Sequence, residues 1–485
     1  MKGIILFIKL LCWIVAALFI NFAMPIESFA EQADKRRKEQ VLHPEDVVRS
    51  VQKHHPHIRI ALEQLKQAEG KLTEADGGFD PRLEASGKSR SGGYYELRSL
   101  DVGLKQATGL WGAELFAGYR LGLGLEDERY PSYYSDETLG GGEVRGGVQV
   151  PLWRGGPIDE RRAKIRSQEK LLHASEQVVR ATSLSLELQA IKHYWQWVAA
   201  GLAREVALEL LELAEERDRQ LSQRLSAGAV TEFDLWDNQR MVLERKEGLI
   251  KATRHFEQST IALSMFLRDS QGRPLLAQPT ELPHDILVLE APTLDTQAAL
   301  RQVSQCHPLL RSELAKVEAY GVTLDLAKNQ FAPQVDLKAQ LSRDLGDASR
   351  NTTLPGTVFE GGVTFSMPLL LRPERGRLTQ RKAEIMEAKE KLRYVRDNLV
   401  TSVHDAASAL KAAHRQAQIV NKLVQTAEKL AEGERTRFDS GMGNLMFVNL
   451  REQSSASARL DLIEALVKSH VAKARWSNLT AVGCH

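Results

Sequence analysis

Two stretches limit this chain more than any other feature. From Pro157 to about Ser226, and from Pro373 to about Ser440, no further proline and almost no glycine interrupts the sequence. Both prolines stand where a first helical turn tolerates them. In the second stretch apolar residues step by three or four through Ile385, Leu392, Leu399, Ala406, Ala413, Val420, Ala427 and Ala431. The first does likewise through Leu171, Val178, Leu184, Ile191, Val198 and Leu202. A period held over so many turns predicts helices packed with coiled-coil character. At 1.5 Å per residue each would extend about 100 Å, far beyond the width of an ordinary domain. A narrow, alanine-rich seam suits helices that approach closely and bury no wide core face. Behind Gly228 and Gly441 follow further helical patterns of about 40 residues, expected to return antiparallel.

The two stretches belong to an internal duplication. Pro56 and Pro81 recur as Pro308 and Pro333, both 252 residues later. "GGVQVPLWRGG" from Gly146 recurs as "GGVTFSMPLLLRPERG" from Gly361, an offset of 215, and "RLSAGAVTEFDLWDNQ" from Arg224 as "RFDSGMGNLMFVNLREQ" from Arg437, an offset of 213. The expected organisation is a first repeat over 31–272, a Pro-rich linker over 273–292, and a second repeat over 293–485. Within the repeats, strand regions are expected at about 80–152 and 333–368. Long helices are expected at about 157–227, 231–270, 373–440 and 444–482. The fall of the offset from 252 to 215 places 37 extra residues among the strands of the first copy, as an added hairpin or a long outer loop.

Several segments alternate with period two. Trp111, Ala113, Leu115, Ala117, Tyr119, Leu121, Leu123 and Leu125 are apolar, and the residues between them are mostly small or charged. Val335, Leu337, Ala339 and Leu341 alternate with Asp336, Lys338 and Gln340, while Phe359, Val363, Phe365 and Met367 alternate with Glu360, Gly362, Thr364 and Ser366. A membrane wall requires one apolar and one wet face, although a soluble antiparallel sheet gives the same pattern. Strands are expected from about Arg82, Leu97, Trp111 and Glu143, with two more in the second copy. Tyr130, Tyr133 and Tyr134 fit an outer loop near a membrane interface. Single-chain barrels begin at about eight strands, so a chain with four to six needs strands from neighbouring subunits.

The first thirty residues read as a cleavable secretory signal: Lys2 and Lys9, an apolar run from Leu10 to Ile20, and Ser28-Phe29-Ala30. The net charge is +2, or +1 once Lys2, Lys9 and Glu27 leave, which gives no argument for nucleic acid as a partner. Cys306 and Cys484 are too few for a disulfide framework and read as two unpaired residues, although an exported chain could hold one bond. No later segment supplies the roughly 20 apolar residues of a transmembrane helix.

This duplicated order of helix, strands, "VPL" or "MPL", long helix and Gly-containing turn resembles the TolC-like outer-membrane efflux protein family over almost the whole mature chain. The resemblance implies a mixed α/β membrane protein: a trimeric outer-membrane β-barrel continuous with a long antiparallel α-helical periplasmic barrel, two structural repeats per chain. It implies the outer-membrane channel of a tripartite efflux or type I secretion system, passive and without cofactors. The partners would be a periplasmic adaptor, an inner-membrane pump and outer-membrane lipid. The family's periplasmic tip, which contacts the adaptor, maps to Arg224, Leu225, Ser226 and Gly228, and to Arg437, Phe438, Ser440 and Gly441. Family members often place acidic gate residues six and nine positions after the tip glycine. Here those positions are Asp234 and Asp237 in the first copy but Phe447 and Leu450 in the second, which suggests an apolar rather than an acidic constriction from that half.

No Gly-rich phosphate loop, nucleophile elbow or zincin-type arrangement is present, so no enzyme chemistry is expected. His54, His55 and His57 read as a solvated helix start rather than a metal site, and His404 and His414 lie ten apart, which is not ligand spacing. The competing reading is a periplasmic coiled-coil adaptor or structural tether without a pore.

Overall fold

The structure is a computed structural model that describes residues 41–90, 97–124, 138–228, 230–286, 290–346 and 356–480. The expected signal segment, Tyr130, Tyr133, Tyr134 and Cys484 lie outside these residues. In chain order the elements are α1 (Pro44–His54), α2 (Pro56–Asp76), β1 (Arg82–Arg90), β2 (Leu97–Ala107), β3 (Glu114–Gly124), β4 (Glu143–Pro151), α3 (Glu160–Ser226) and α4 (Glu232–Leu263). The second half holds α5 (Thr296–Cys306), α6 (Pro308–Asn329), β5 (Gln334–Asp344), β6 (Thr357–Ser366), α7 (Arg372–Asp439) and α8 (Leu445–Thr480). Helices α3 and α7 run 67 and 68 residues, as their unbroken periodicity predicted. Among the described residues no helix is long and apolar enough to cross a membrane.

The chain divides into two compact units, each drawn from both halves of the sequence. One comprises Met1–Ile58, Ser183–Thr296 and Val403–Ala481; the other comprises Arg59–Thr182, Gln297–Ser402 and Val482–His485.

In the first unit, Trp197, Tyr194, Val198 and Ala190 of α3 pack against Val47 and Val51 of α1 and against Phe256 and Leu263 of α4. The Tyr194 hydroxyl donates to the Leu42 carbonyl at 2.8 Å, and its burial raises the phenol pKa. Such a partner is what a buried phenol requires. The Pro-rich connector is part of this core and no loose tether: Ala277 and Leu282 are buried, and the Leu42 amide donates to the Glu281 carbonyl at 2.9 Å. Between α7 and α8 small clusters follow one another: Leu410 and Ala413 with Ala472, then Ala417 with Ala465, then Val424 and Ala427 with Ala458. Numbers rise along α7 as they fall along α8, so the pair is antiparallel, and alanine at the seam lets the axes approach closely.

The second unit carries one six-stranded antiparallel sheet in the order β1-β2-β3-β4-β5-β6. Its strands are 9, 11, 11, 9, 11 and 10 residues long. Strand β3 begins at Glu114 rather than at Trp111, because Trp111 (φ 52°) and Gly112 (φ 68°) form the turn that enters it. The sheet is tied to its helices at one end. Gln106 donates to the Phe79 carbonyl at 2.6 Å, Arg161 of α3 pairs with Glu114 at 3.2 Å, and the Leu152 amide donates to the Val335 carbonyl at 2.7 Å.

Two side-chain expectations change. Cys306 is disulfide-bonded, not unpaired. His55 is not solvated: it is 5 % exposed and stacks on Phe266 at 5.7 Å. Its imidazole Nδ1 accepts from the His57 amide at 3.3 Å, and burial lowers its pKa. His307, 252 residues on, repeats the arrangement: it caps α6, accepts from the Leu309 amide at 3.3 Å, and burial lowers its pKa to about 4.

Candidate functional site

The two Gly-containing turns lie side by side. The Arg224 guanidinium sits 5.5 Å over the Phe438 ring and 3.9 Å from Asp439. Both turn glycines have positive φ, 71° at Gly228 and 77° at Gly441, a region where a Cβ strains the backbone. At the second turn the Gly441 amide donates to the Phe438 carbonyl at 3.0 Å and the Met442 amide to the Arg437 carbonyl at 2.9 Å, which together satisfy the last carbonyls of α7. Ser226 and Ser440 donate back into their own helices, to the Gln223 and Arg437 carbonyls. Leu225 is half-buried, and Arg437 pairs with Glu434 at 3.6 Å.

Beyond the turns the surface is apolar. Phe233 and Trp236 open α4 at 74 % and 60 % exposure, and Met442, Met446, Phe447 and Leu450 are all at least half exposed. The two acids of the first copy are held locally. Asp234 accepts from the Thr231 amide at 3.0 Å and from its hydroxyl at 2.7 Å, completing a capping box, and these bonds lower its pKa. Asp237 pairs with Arg240 on its own helix at 3.0 Å.

A buried charge network joins the long helices in this unit. Arg217 of α3 donates to Asn449 at 2.8 Å and to Glu452 at 2.6 Å, both on α8, and Arg435 of α7 reaches the same Glu452 oxygen at 2.7 Å. Arg245 of α4 donates to Gln453, and burial lowers its pKa. Asn238 of α4, fully buried, donates to the Ala214 carbonyl and to Asp218 at 3.2 and 3.1 Å. Sequence reading missed these residues. The signal was present: Arg217 sits between buried Ala214 and Leu221, and Glu452 between buried Val448 and Ala456, so each charge interrupts an apolar stripe.

In the sheet, residues opposite one another share a face. One face carries Leu83, Leu104 and Ala117, then Leu341 and Phe359 along another part of the same row, with Leu100 and Leu121 further along. The other carries Glu84, Asp101, Lys105, Phe116, Arg120, Glu143, Arg145 and Lys338. Asp101 pairs with Arg145 at 2.5 Å and with Arg120 at 3.4 Å, and Arg120 lies 3.9 Å from Glu143. Phe116 lies over Gly147, where an added Cβ would come within 2.6 Å of its ring, and Lys338 sits 5.4 Å above the same ring. Among the described residues no group of His, Cys, Asp and Glu could hold a metal ion.

No curated protein sequence matches the chain. Residues 299–481 match the family model described as outer membrane efflux protein. Solved structures share the fold. The Campylobacter jejuni CmeC outer membrane channel is 16 % identical with a TM-score of 0.65, over 91 % of this chain and 86 % of that one. The outer membrane protein VceC of Vibrio cholerae is 16 % identical with a TM-score of 0.63, over 91 % and 97 %. The open state of the Neisseria gonorrhoeae MtrE outer membrane channel is 15 % identical with a TM-score of 0.65, over 91 % and 89 %. Residues 299–481 thus carry the sequence signature of the outer membrane efflux protein family, and the fold of the chain is similar to that of these outer membrane channels.

Proposed function

We propose that the protein is the outer-membrane channel of a tripartite efflux or type I secretion system, conducting substrate passively from an inner-membrane pump and a periplasmic adaptor to the exterior. The observation that carries this reading is the sheet. Strands of 9 to 11 residues match the roughly 9–11 that cross a bilayer, and one face is apolar while the other is charged. Among the described residues both edge strands are open: β1 has β2 as its only partner in the sheet, and β6 has β5. An exposed edge in lipid must be closed by further strands. Three copies, joined edge to edge, form the barrel, and the long helices form its periplasmic extension. Exposed Leu243 and Ile250 on α4, and Leu423 and Leu430 on α7, each pair seven residues apart, give the helices apolar stripes for neighbouring copies.

The periplasmic tip is Arg224, Leu225, Ser226 and Gly228 with Arg437, Phe438, Ser440 and Gly441, and it contacts the adaptor. The gate region holds Asp234, Asp237, Phe447 and Leu450. Because Asp234 is engaged by Thr231 in the capping box of its helix and Asp237 pairs within that helix, the constriction is set by Phe447 and Leu450 rather than by a free acidic ring. The adaptor-or-tether reading gives no account of an apolar sheet face with open edges. Membrane fractionation tests the proposal: the protein should stay in the outer membrane through high salt and leave only with detergent. Release by salt alone would exclude a channel.

A further inference from the structure

The two repeats do not contribute equally to the sheet. Shifting β1 by the 252-residue offset lands on 334–342, within β5; shifting β4 by the 215-residue offset lands on 358–366, within β6. Strands β1 and β4 are therefore the counterparts of β5 and β6, and the β2–β3 hairpin is what the 37 extra residues of the first copy provide. It is wall, not a flap. Strand β2 pairs with β1 from Leu97 to Lys105 and with β3 along its whole length, β3 pairs onward to β4 from Glu114 to Arg120, and Asp101 of β2 reaches Arg145 of β4 across β3. Both faces of the hairpin keep the alternation of the rest of the sheet, with Leu100 and Leu121 on the apolar face and Ser99 and Gly122 on the wet one.

We infer that this hairpin widens the barrel. On the trimeric-channel reading, on which the inference rests, each copy supplies six strands instead of the four that two equal repeats would give, so three copies close eighteen strands instead of twelve. The partner at each open edge is a second copy of this chain. A hairpin adds two strands, so the up-down order survives: β6 still runs antiparallel to β1, and the β6 edge of one copy continues the alternation into β1 of the next. Barrel diameter grows roughly linearly with strand number, by about one half here, and barrels of 16–18 strands leave an aqueous channel. The outer end is then a wide, water-filled passage for bulky hydrophilic cargo, lined by both signs of charge through Asp101, Glu143, Arg120 and Arg145.

The test uses the full-length protein in lipid nanodiscs, spin-labelled at single introduced cysteines. Leu100→Cys and Ser99→Cys report on the two faces of the hairpin; Leu341→Cys and Lys338→Cys report on the two faces of β5. The expected result is oxygen accessibility from lipid at positions 100 and 341, water-soluble nickel accessibility at 99 and 338, and a native mass of three copies. Lipid contact at 341 with water at both 99 and 100 would take the hairpin out of the wall and overturn the inference while the channel stands. Water at both 338 and 341 would overturn the channel reading itself, and a copy number other than three would overturn the count of eighteen.

Discussion

Arg217 donates to Glu452 at 2.6 Å with both side chains nearly buried, 11 % and 6 % exposed, and this ion pair fastens α3 to α8. Arg435 shares the same carboxylate oxygen from α7, so one glutamate holds three long helices at one level. Removing one member of a buried pair leaves a charge without a partner, which costs far more than the pair itself contributes. Glu452→Gln should therefore lower stability by about 3 kcal/mol, seen as an earlier thermal melt of the detergent-solubilised protein. The apolar double variant Arg217→Met with Glu452→Leu should recover most of the loss. A melt unchanged in the single variant would show that the network is not bearing on stability.

His307 gives a pH dependence whose sign is fixed. Its folded pKa is lowered to about 4 from the ordinary 6.5 because the ring is buried. Between those values the unfolded chain binds a proton that the folded chain does not. Stability is complete above pH 6.5 and falls as the pH drops toward 4, by roughly 3 kcal/mol at most. His307→Asn, which can still cap the helix, should flatten this acid limb in denaturation midpoints measured from pH 7 to 4. An unchanged slope would place the acid sensitivity elsewhere.

Replacing Gly228 and Gly441 together with valine should impair export while assembly is kept. A Cβ at either meets nothing within 4 Å, so the penalty is confined to the positive-φ backbone and distorts the turn alone. Export assays beside native mass measurement check this; normal export by assembled double variant would refute the tip assignment.

Asp234→Ala should cost about 1 kcal/mol through loss of the capping box at the start of α4. If the carboxylate is structural, Asp234→Gln, which can still reach back to the Thr231 amide, should restore most of the stability and leave transport unaltered. Transport changed equally by both substitutions would make Asp234 a pore residue.

Much of the architecture was legible because it rests on periods. A 3.6-residue stripe sustained over some seventy residues admits one local structure, and α3 and α7 end within a few residues of the expected bounds. Strand starts at Arg82, Leu97 and Glu143 followed from the two-residue alternation, and the turn glycines from their repetition. The one strand start misplaced, Trp111 for Glu114, fell where alternation continues into a positive-φ turn, since side-chain pattern carries no record of φ.

What the sequence determined by itself was the duplication, the helix and strand periods, and the presence of 37 extra residues in the first copy. Tertiary structure decided what those residues are: paired on both sides, β2 and β3 are strands of the sheet rather than loop, and the neighbouring strands satisfy their backbone groups. It also decided the fate of the charges. Asp234, Glu452 and His307 look alike on the page as polar residues on helices. Only packing makes one a cap, one a buried clasp and one a neutral hydrogen-bond acceptor, because burial and partner distance fix the state of each group, and neither is a property of a residue alone.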